Sequence, residues 1–409
     1  MRSVPLMVAV LIYFTLVSDL PAAKPKATKR PTIPTAPRET VAGLIIGDPI
    51  THGNLTIFPV SSKAPRSDDR FITLDEAVKA GTVEIHERGA AAVGGRGGNS
   101  VNQLMVINNS NRPLYLMPGE IIIGGSQDRA IATELVVAPD KKPVPLAVFC
   151  VEHGRWGKRD DAEYARIVSE TGANSARASS VAIGGGNSAP RSAEANQGKF
   201  IGSVGSLSRS GRVAVQKGEG QQKVWDEVGK ENAKAGVKAQ SGTFTGNYSE
   251  PEAVKRLDLY MENLLEPVQK TENVVGVIVA VNGKVESMDV FEATPLFRKL
   301  WPKLLKSYSL DAANAPKKSG SQICTIRQAK AFLEDVSNAS AKKTSNSGNL
   351  AVTQGESERV LLFTAHEAKS QRRGAAAAPS QGLGGGMGGM GGSFGGGGFG
   401  GVHGSAFAR

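Results

Sequence analysis

The first half of the chain is written in short apolar runs separated by turn formers. Residues 55–60 (Leu-Thr-Ile-Phe-Pro-Val) and 103–108 (Gln-Leu-Met-Val-Ile-Asn) are rich in β-branched and large apolar side chains, which predicts strands. Asn108-Asn-Ser-Asn-Arg-Pro113 then reads as a loop. Two further apolar runs flank Pro118-Gly119, and the second ends in Gly124-Gly125-Ser-Gln-Asp128-Arg129. A third closes in the same manner at Cys150-Val-Glu152-His153-Gly154-Arg155-Trp156. One short helix interrupts the β pattern over residues 71–80, where Thr73 can cap and Glu76 stands three residues on.

The second half changes period. Val224, Trp225 and Val228 give a short helical face within residues 222–235. Ser249 and Glu252 predict a capping box for a helix carrying Val254, Leu257, Met261, Leu264 and Leu265, with Pro267 as its end. Residues 274–281 and 284–291 form the clearest unit, two strands joined by Asn282-Gly283, the favoured pair for a tight hairpin turn. A helix begins at Thr294-Pro295 and carries Leu296, Phe297, Leu300, Trp301, Leu304, Leu305 and Tyr308; Pro302 is expected to kink it or split it. A last helix over 325–336 and a last strand over 360–365 complete the pattern.

These elements predict an α+β fold: a largely antiparallel N-terminal sheet, with C-terminal helices packed around a β-hairpin. The expected organisation is a β-rich half over 41–165, a Ser/Gly/Ala-rich insertion or linker over 166–220, and an α/β half of the same domain over 221–366. A disordered Gly-rich tail is expected over 367–409. Gly94-Gly-Arg-Gly-Gly98 lacks the Lys-Ser/Thr pair and the following helix of a phosphate loop, so it is read as a flexible loop.

Composition alters this picture at the ends. Arg2, an apolar run over residues 4–17 and Pro21-Ala22-Ala23 are the three parts of a secretory signal peptide, residues 1–23. An uncleaved anchor is the other reading. No other stretch approaches spanning length, so the mature chain is expected to be exported without a transmembrane segment, to a periplasmic, cell-envelope or extracellular location. The formal net charge of +11 is carried in part by Lys24, Lys26, Lys29, Arg30 and Arg38 in the Pro-rich linker 24–40. No aromatic residues interleave with these cations, and nucleic-acid binding is not expected.

Candidate chemistry is sparse. The two cysteines, Cys150 and Cys324, can make one bridge or stay as two buried thiols, and the second is favoured. The five histidines, His52, His86, His153, His366 and His403, show no paired spacing, so no metal or cofactor is expected. Cys150 and His153 face opposite sides of an extended strand, which argues against a nucleophile and base pair. What remains is a ligand-binding set at two strand ends: Glu120, Gly124, Gly125, Asp128, Arg129, Glu152 and Arg155, with Trp156 as a stacking wall. An Arg and exposed N–H groups at a glycine step suit an anionic ligand. The bland alternative is that these charges bind each other inside the fold.

The same residues carry a family resemblance. Gly119-Glu120, Gly124-Gly125, Asp128-Arg129 and Glu152-x-Gly154-Arg155-Trp156 resemble the ADP-ribosylglycohydrolase and rhodanese-phosphatase associated domain of bacteria. Residues 276–291, Leu296-Phe-Arg-Lys299 and Trp301-Pro-Lys-Leu-Leu305 look similar as well. The resemblance implies a shared domain over about 44–365 and no particular reaction, since the family's name records proteins encoded beside it, some of which process ADP-ribose. Two functions follow as expectations. One is a non-catalytic binding or scaffold module of the cell envelope, with no catalytic residues. The other is a binder or hydrolase of a phosphate- or ADP-ribose-type ligand at Gly124, Arg129, Glu152 and Arg155.

Overall fold

The Asn282-Gly283 turn lies at the middle of the largest sheet. Both residues adopt positive φ, 50° and 76°, as the type I′ turn requires. They join the strands Val274–Val281 and Lys284–Phe291. The Asn282 N–H also donates to the Asn54 carbonyl at 2.9 Å, tying the turn to the N-terminal half. Every residue of Val274–Val281 is buried, because the strand is covered on both faces, and this is why it reads as a continuous apolar run and not an alternating one. Gly276 is fixed by close approach: a Cβ there would lie 2.2 Å from the Asp289 carbonyl oxygen.

The computed structural model describes residues 40–87, 102–155, 200–239, 241–316, 323–368, 394–395 and 398–409. All lie in one contact unit, Arg38–Arg409. The largest sheet has ten strands, all antiparallel. Its order runs Thr40–Val41, Leu44–Ile46, Leu55–Ser62, Val274–Val281, Lys284–Phe291, His403–Ala408, Val360–Glu367, Leu350–Glu356 and Ser340–Ser347, with Ile50–His52 added beside Leu55–Ser62. A six-stranded sheet orders Phe200–Ser206, Glu120–Gly124, Arg129–Ile131, Val144–Cys150, Gln103–Asn108 and Val83–Glu87. A small third sheet joins Leu135–Val137, Leu114–Leu116 and Ile72–Thr73.

Among the described residues, six helices pack on these sheets: α1 (Leu74–Lys79), α2 (Arg209–Lys217), α3 (Gln221–Ala235), α4 (Pro251–Gln269), α5 (Thr294–Asn314) and α6 (Ile326–Ser337). One face of the large sheet, with Ile57, Val277 and Val279, meets Leu300, Trp301 and Leu304 of α5 and Leu264 of α4. The other face, with Phe58, Ile278 and Ala280, meets Phe332, Leu333 and Val336 of α6. The hydrophobic alternation along Val277–Val281 therefore feeds two cores, one per face.

Thr73 with Glu76, and Thr325 with Gln328, form capping boxes at α1 and α6. Other expectations need correction. The sheet is not confined to the N-terminal half: strands 274–281, 284–291, 340–347, 350–356, 360–367 and 403–408 all belong to the largest one. The stretch expected to be a linker up to residue 220 contains the strand Phe200–Ser206 and all of α2; Ser203, Gly205 and Ser206 are small because that strand is buried against α5 and Tyr248. The stretch expected to be a disordered tail ends in His403–Ala408, a strand paired on both sides. Its Gly404, Ser405 and Ala406 are small residues within a fully occupied layer, so they carry little hydrophobic signal.

Helix ends moved as well. Ser249 does not cap α4; Glu250 is the N-cap and Pro251 occupies the first helical position, where its missing N–H costs nothing. The Ser249 hydroxyl instead donates to the Thr245 carbonyl at 3.1 Å. Pro267 and Pro302 lie inside α4 and α5, and α5 continues unbroken to Asn314. Packing of its apolar stripe into the core outweighs the single backbone bond lost at Pro302. Gly94–Gly98 and Trp156 fall outside the described residues. Among the described residues no helix is long and apolar enough to cross a membrane.

Candidate functional site

Six of the seven residues singled out at the strand ends converge, and one does not. Arg129 faces Cys150 across the sheet, in register with it. This register brings the Asp128 and Glu152 ends together. Glu152 Oε2 accepts the Asp128 N–H at 3.0 Å and Arg155 Nε at 2.9 Å. Arg155 Nη1 donates to the Gly125 carbonyl at 2.9 Å, and Arg155 Nη2 lies 3.4 Å from Asp128 Oδ1. The other Asp128 oxygen accepts the hydroxyls of Thr243 at 2.9 Å and Thr245 at 2.8 Å, the N-cap and the second residue of the 3-10 helix Phe244–Tyr248.

The glycine step is required sterically. Gly124 and Gly125 have φ of 124° and 54°, and a Cβ on Gly125 would lie 2.7 Å from the Phe200 ring and 3.0 Å from Glu87 Oε1. Arg129 donates to Gln127 Oε1 at 3.2 Å, and its Nη2 lies 3.8 Å from Glu87 Oε1. Its Nε is buried without a hydrogen-bond partner, and burial pushes the guanidinium pKa down. Asp128 and Glu152 are fully buried. Their charges therefore meet Arg155 and backbone or hydroxyl donors inside the fold.

Glu120 lies apart from this group. It pairs with Lys303 of α5 and accepts the Ser203 hydroxyl at 3.0 Å. Lys303 also reaches Asp75 at 2.8 Å. Burial raises the Glu120 pKa, and Lys303 opposes that rise. Cys150 and Cys324 form no disulfide; both are buried, and burial raises both thiols. His153 meets the Trp225 ring edge-on at 4.5 Å between centroids. Among the described residues no cluster of three His, Cys, Asp or Glu can hold a metal ion.

A second charged group was not legible in the sequence. Asp289, in the buried end of the strand Lys284–Phe291, pairs with Arg212 of α2 and accepts the Tyr308 hydroxyl of α5. His403, first residue of the last strand, lies 3.0 Å from Asp289 Oδ1 through Nε2 and 3.1 Å from Glu134 Oε1 through Nδ1. Tyr115 donates to Glu134, and Phe291 stacks on the His403 ring at 4.3 Å. All are buried. Burial works against the imidazolium, but Glu134 and Asp289 outweigh it and raise the His403 pKa to about 9. Burial likewise opposes ionised Asp289, and Arg212 outweighs it, lowering that pKa to about 2. Two cations and two anions thus neutralise one another where both large sheets meet α2 and α5.

A cavity lined by charged groups lies elsewhere, between α2, α3 and the end of α5. It has a volume of about 360 Å³ and is lined by Arg209, Glu231, Lys234, Glu286, Asp311 and Asn314, with Val279 and Val281 as its apolar wall. Small-ligand pockets start near roughly 300 Å³. Both Asp311 oxygens take the Arg209 backbone N–H, at 3.1 and 3.0 Å, at the first residue of α2. Glu231 meets Lys234 at 2.8 Å and accepts the Asn314 amide at 3.3 Å. The Asn314 side-chain carbonyl is buried without a partner. Burial, and then the neighbouring Glu231 charge, push Asp311 up to about 7. The arrangement can accept hydrogen bonds from a ligand and can exchange a proton near neutrality. Sequence reading missed Glu231 and Asp311 because each sits on a helix in an ordinary polar position, and only packing of α3 against α5 brings them together.

The domain model described as "ARG and Rhodanese-Phosphatase-superfamily-associated Protein domain" matches residues 43–373. No curated protein and no solved structure matches the chain. The match spans well over half of the 409 residues and includes both strand ends, the hairpin and α5. On that extent of agreement, the chain belongs to the bacterial family of the ARG and Rhodanese-Phosphatase-superfamily-associated Protein domain.

Proposed function

We propose that this chain is a non-catalytic binding module of the cell envelope, and that its ligand is a small polar molecule held at Glu231 and Asp311. The observation that carries the reading is the cavity itself. It sets two carboxylates and an unmet amide carbonyl against an apolar wall formed by Val279 and Val281. Those groups are acceptors, so the ligand supplies N–H or O–H donors and an apolar face. The alternative, an anionic ligand of phosphate or ADP-ribose type at Gly124, Arg129, Glu152 and Arg155, has less support. The Asp128 and Glu152 carboxylates there are fully buried, so an incoming anion meets two negative charges and no open wall.

A thermal-shift panel tests the two readings against each other. Amines, guanidines and neutral sugars are expected to raise Tm, and nucleotides and sugar phosphates to leave it unchanged. Asp311→Asn is expected to weaken the positive hits by about tenfold, the usual cost of one charge-assisted hydrogen bond. Binding should tighten as pH rises through the Asp311 pKa near 7, since only the ionised acid accepts fully. A panel in which only anions shift Tm, with the shift lost in Arg129→Ala, would move the site to the strand ends.

Placement in the envelope rests on residues 1–23, whose charged start, apolar run and small-residue exit match an export signal. N-terminal sequencing of the exported protein is expected to find a mature chain that begins at Lys24. A chain that still begins at Met1 and stays in the cytoplasm contradicts the proposed location.

A further inference from the structure

The charges that line the cavity between α2, α3 and α5 do not cancel one another. Lys234 pairs with Glu231 at 2.8 Å. Arg209 Nε lies 3.3 Å from Glu286 Oε2, and Arg209 Nη2 donates to the Ala408 carbonyl. Asp311 is different. It is half-buried, and its two oxygens share the Arg209 backbone N–H. Among the described residues no cationic side chain lies within ion-pair distance of it. The lining therefore holds one carboxylate more than it has cations. Two further features carry the same sign. Asp311 and Asn314 stand three residues apart on one face of the last turn of α5, where the helix macrodipole is negative. Among the described residues the buried Asn314 side-chain carbonyl meets no donor.

We propose, resting on the assignment of this cavity as the ligand site, that its preferred occupant is a small organic monocation, an alkylammonium in its simplest form. An ammonium offers three N–H donors and no acceptor. Asp311 and the Asn314 carbonyl take those donors, and the alkyl stem lies on the apolar wall of Val279 and Val281. A neutral polyol of the same size can donate to the same groups, but it leaves Asp311 without a counterion, so it ranks below the monocation. A dication is the opposite mismatch. Its second charge finds Glu231 and Glu286 already engaged by Lys234 and Arg209, and it adds a like charge beside those two side chains. Selection between one charge and two thus lies in the pairing of the lining residues themselves.

Titration calorimetry of the full chain with n-butylammonium, 1-butanol and 1,4-diaminobutane, at one ionic strength, tests this. The pH is set at about 8, above the Asp311 pKa of about 7. Butylammonium is expected to bind about tenfold tighter than butanol, the difference that one charge-assisted hydrogen bond makes. Diaminobutane is expected to bind no tighter than butylammonium. Lys234→Met reverses that order. The Lys234 side chain is 54% exposed, so its loss is compatible with the fold, and it leaves Glu231 as a second unmatched carboxylate. Diaminobutane should then overtake butylammonium by about tenfold, a gain that a misfolded variant cannot produce. If butanol equals butylammonium, the cavity keeps its ligand and the cationic class is overturned. If diaminobutane leads in the unaltered protein, the charge balance is overturned. If none of the three binds while neutral sugars still raise Tm, the class alone falls; if those sugars are silent too, the assignment of the cavity falls with it.

Discussion

Deletion of residues 403–409 is expected to leave a chain that does not reach the native state, although the deletion removes only the last few residues. His403–Ala408 fills the slot between Lys284–Phe291 and Val360–Glu367 and pairs with both. Without it the ten-stranded sheet divides, and two long apolar edges face water. Phe407 is almost fully buried, and loss of one such ring costs about 3–5 kcal/mol. Loss of His403 adds a second penalty, because Asp289 and Glu134 stay buried with fewer partners. Against a total stability of about 5–15 kcal/mol, the combined loss exceeds what the fold can absorb. Circular dichroism and protease resistance of the shortened chain report the outcome. Deletion of residues 384–392 is the control. Ala365 and His403 are direct neighbours, so a shorter connector still spans them, and stability should change by less than about 1 kcal/mol. A truncated chain that melts cooperatively near the wild-type temperature would show that the strand is an accessory.

That dependence also explains which parts of the fold were legible in the sequence. Elements whose signal is local were found: the Asn282-Gly283 hairpin, the Thr73 cap, and the apolar stripe of α5. Elements whose signal is supplied by a distant neighbour were not. Gly404, Ser405 and Ala406 carry almost no hydrophobic pattern, and the family match ends at residue 373, short of them. Ser340–Ser347 is exposed along nearly its whole length, so no buried face marked it as a strand; its pairing with Leu350–Glu356 holds it in place. Phe200–Ser206 reads as Ser/Gly sequence because its small residues sit against Tyr248 and α5.

The same distinction governs the charged groups. Asp128, Arg129, Glu152 and Arg155 lie at the ends of recognisable strands, and their convergence could be expected from sequence. Arg212, Asp289 and His403 come from a helix, a mid-strand position and a glycine-rich end, separated by 77 residues in one pair and 114 in another. A carboxylate in the apolar end of a strand, as in Met288-Asp-Val-Phe291, was a sign of that network. Burying such a carboxylate is costly, so its presence implied a cationic partner somewhere, without naming it.

Arg212→Met is expected to destabilise the protein by about 3–5 kcal/mol, the usual result of removing one member of a buried pair, and the effect should depend on pH through the groups left behind. In the native protein His403 is raised from 6.5 to about 9. Its contribution is therefore complete below pH 6.5 and is lost as pH rises through 9. Asp289 is lowered from 3.8 to about 2, so its contribution is present above pH 3.8 and lost as pH falls through 2. For His403 the shift corresponds to about 3 kcal/mol. Asp311, raised from 3.8 to about 7, contributes stability that is complete below pH 3.8 and is lost as pH rises through 7. Urea unfolding should therefore give the greatest stability near pH 4, a decline to pH 7 to which Asp311 contributes, and a further decline toward pH 9 that belongs to His403. His403→Gln separates the two: it should lower stability near pH 5 and flatten the slope between pH 7 and 9, leaving the Asp311 segment in place. If the alkaline slope survives in His403→Gln, the imidazole is neutral in the native state. Arg212 would then be the sole cation matching Asp289 and Glu134, and its removal should cost more than the pair estimate.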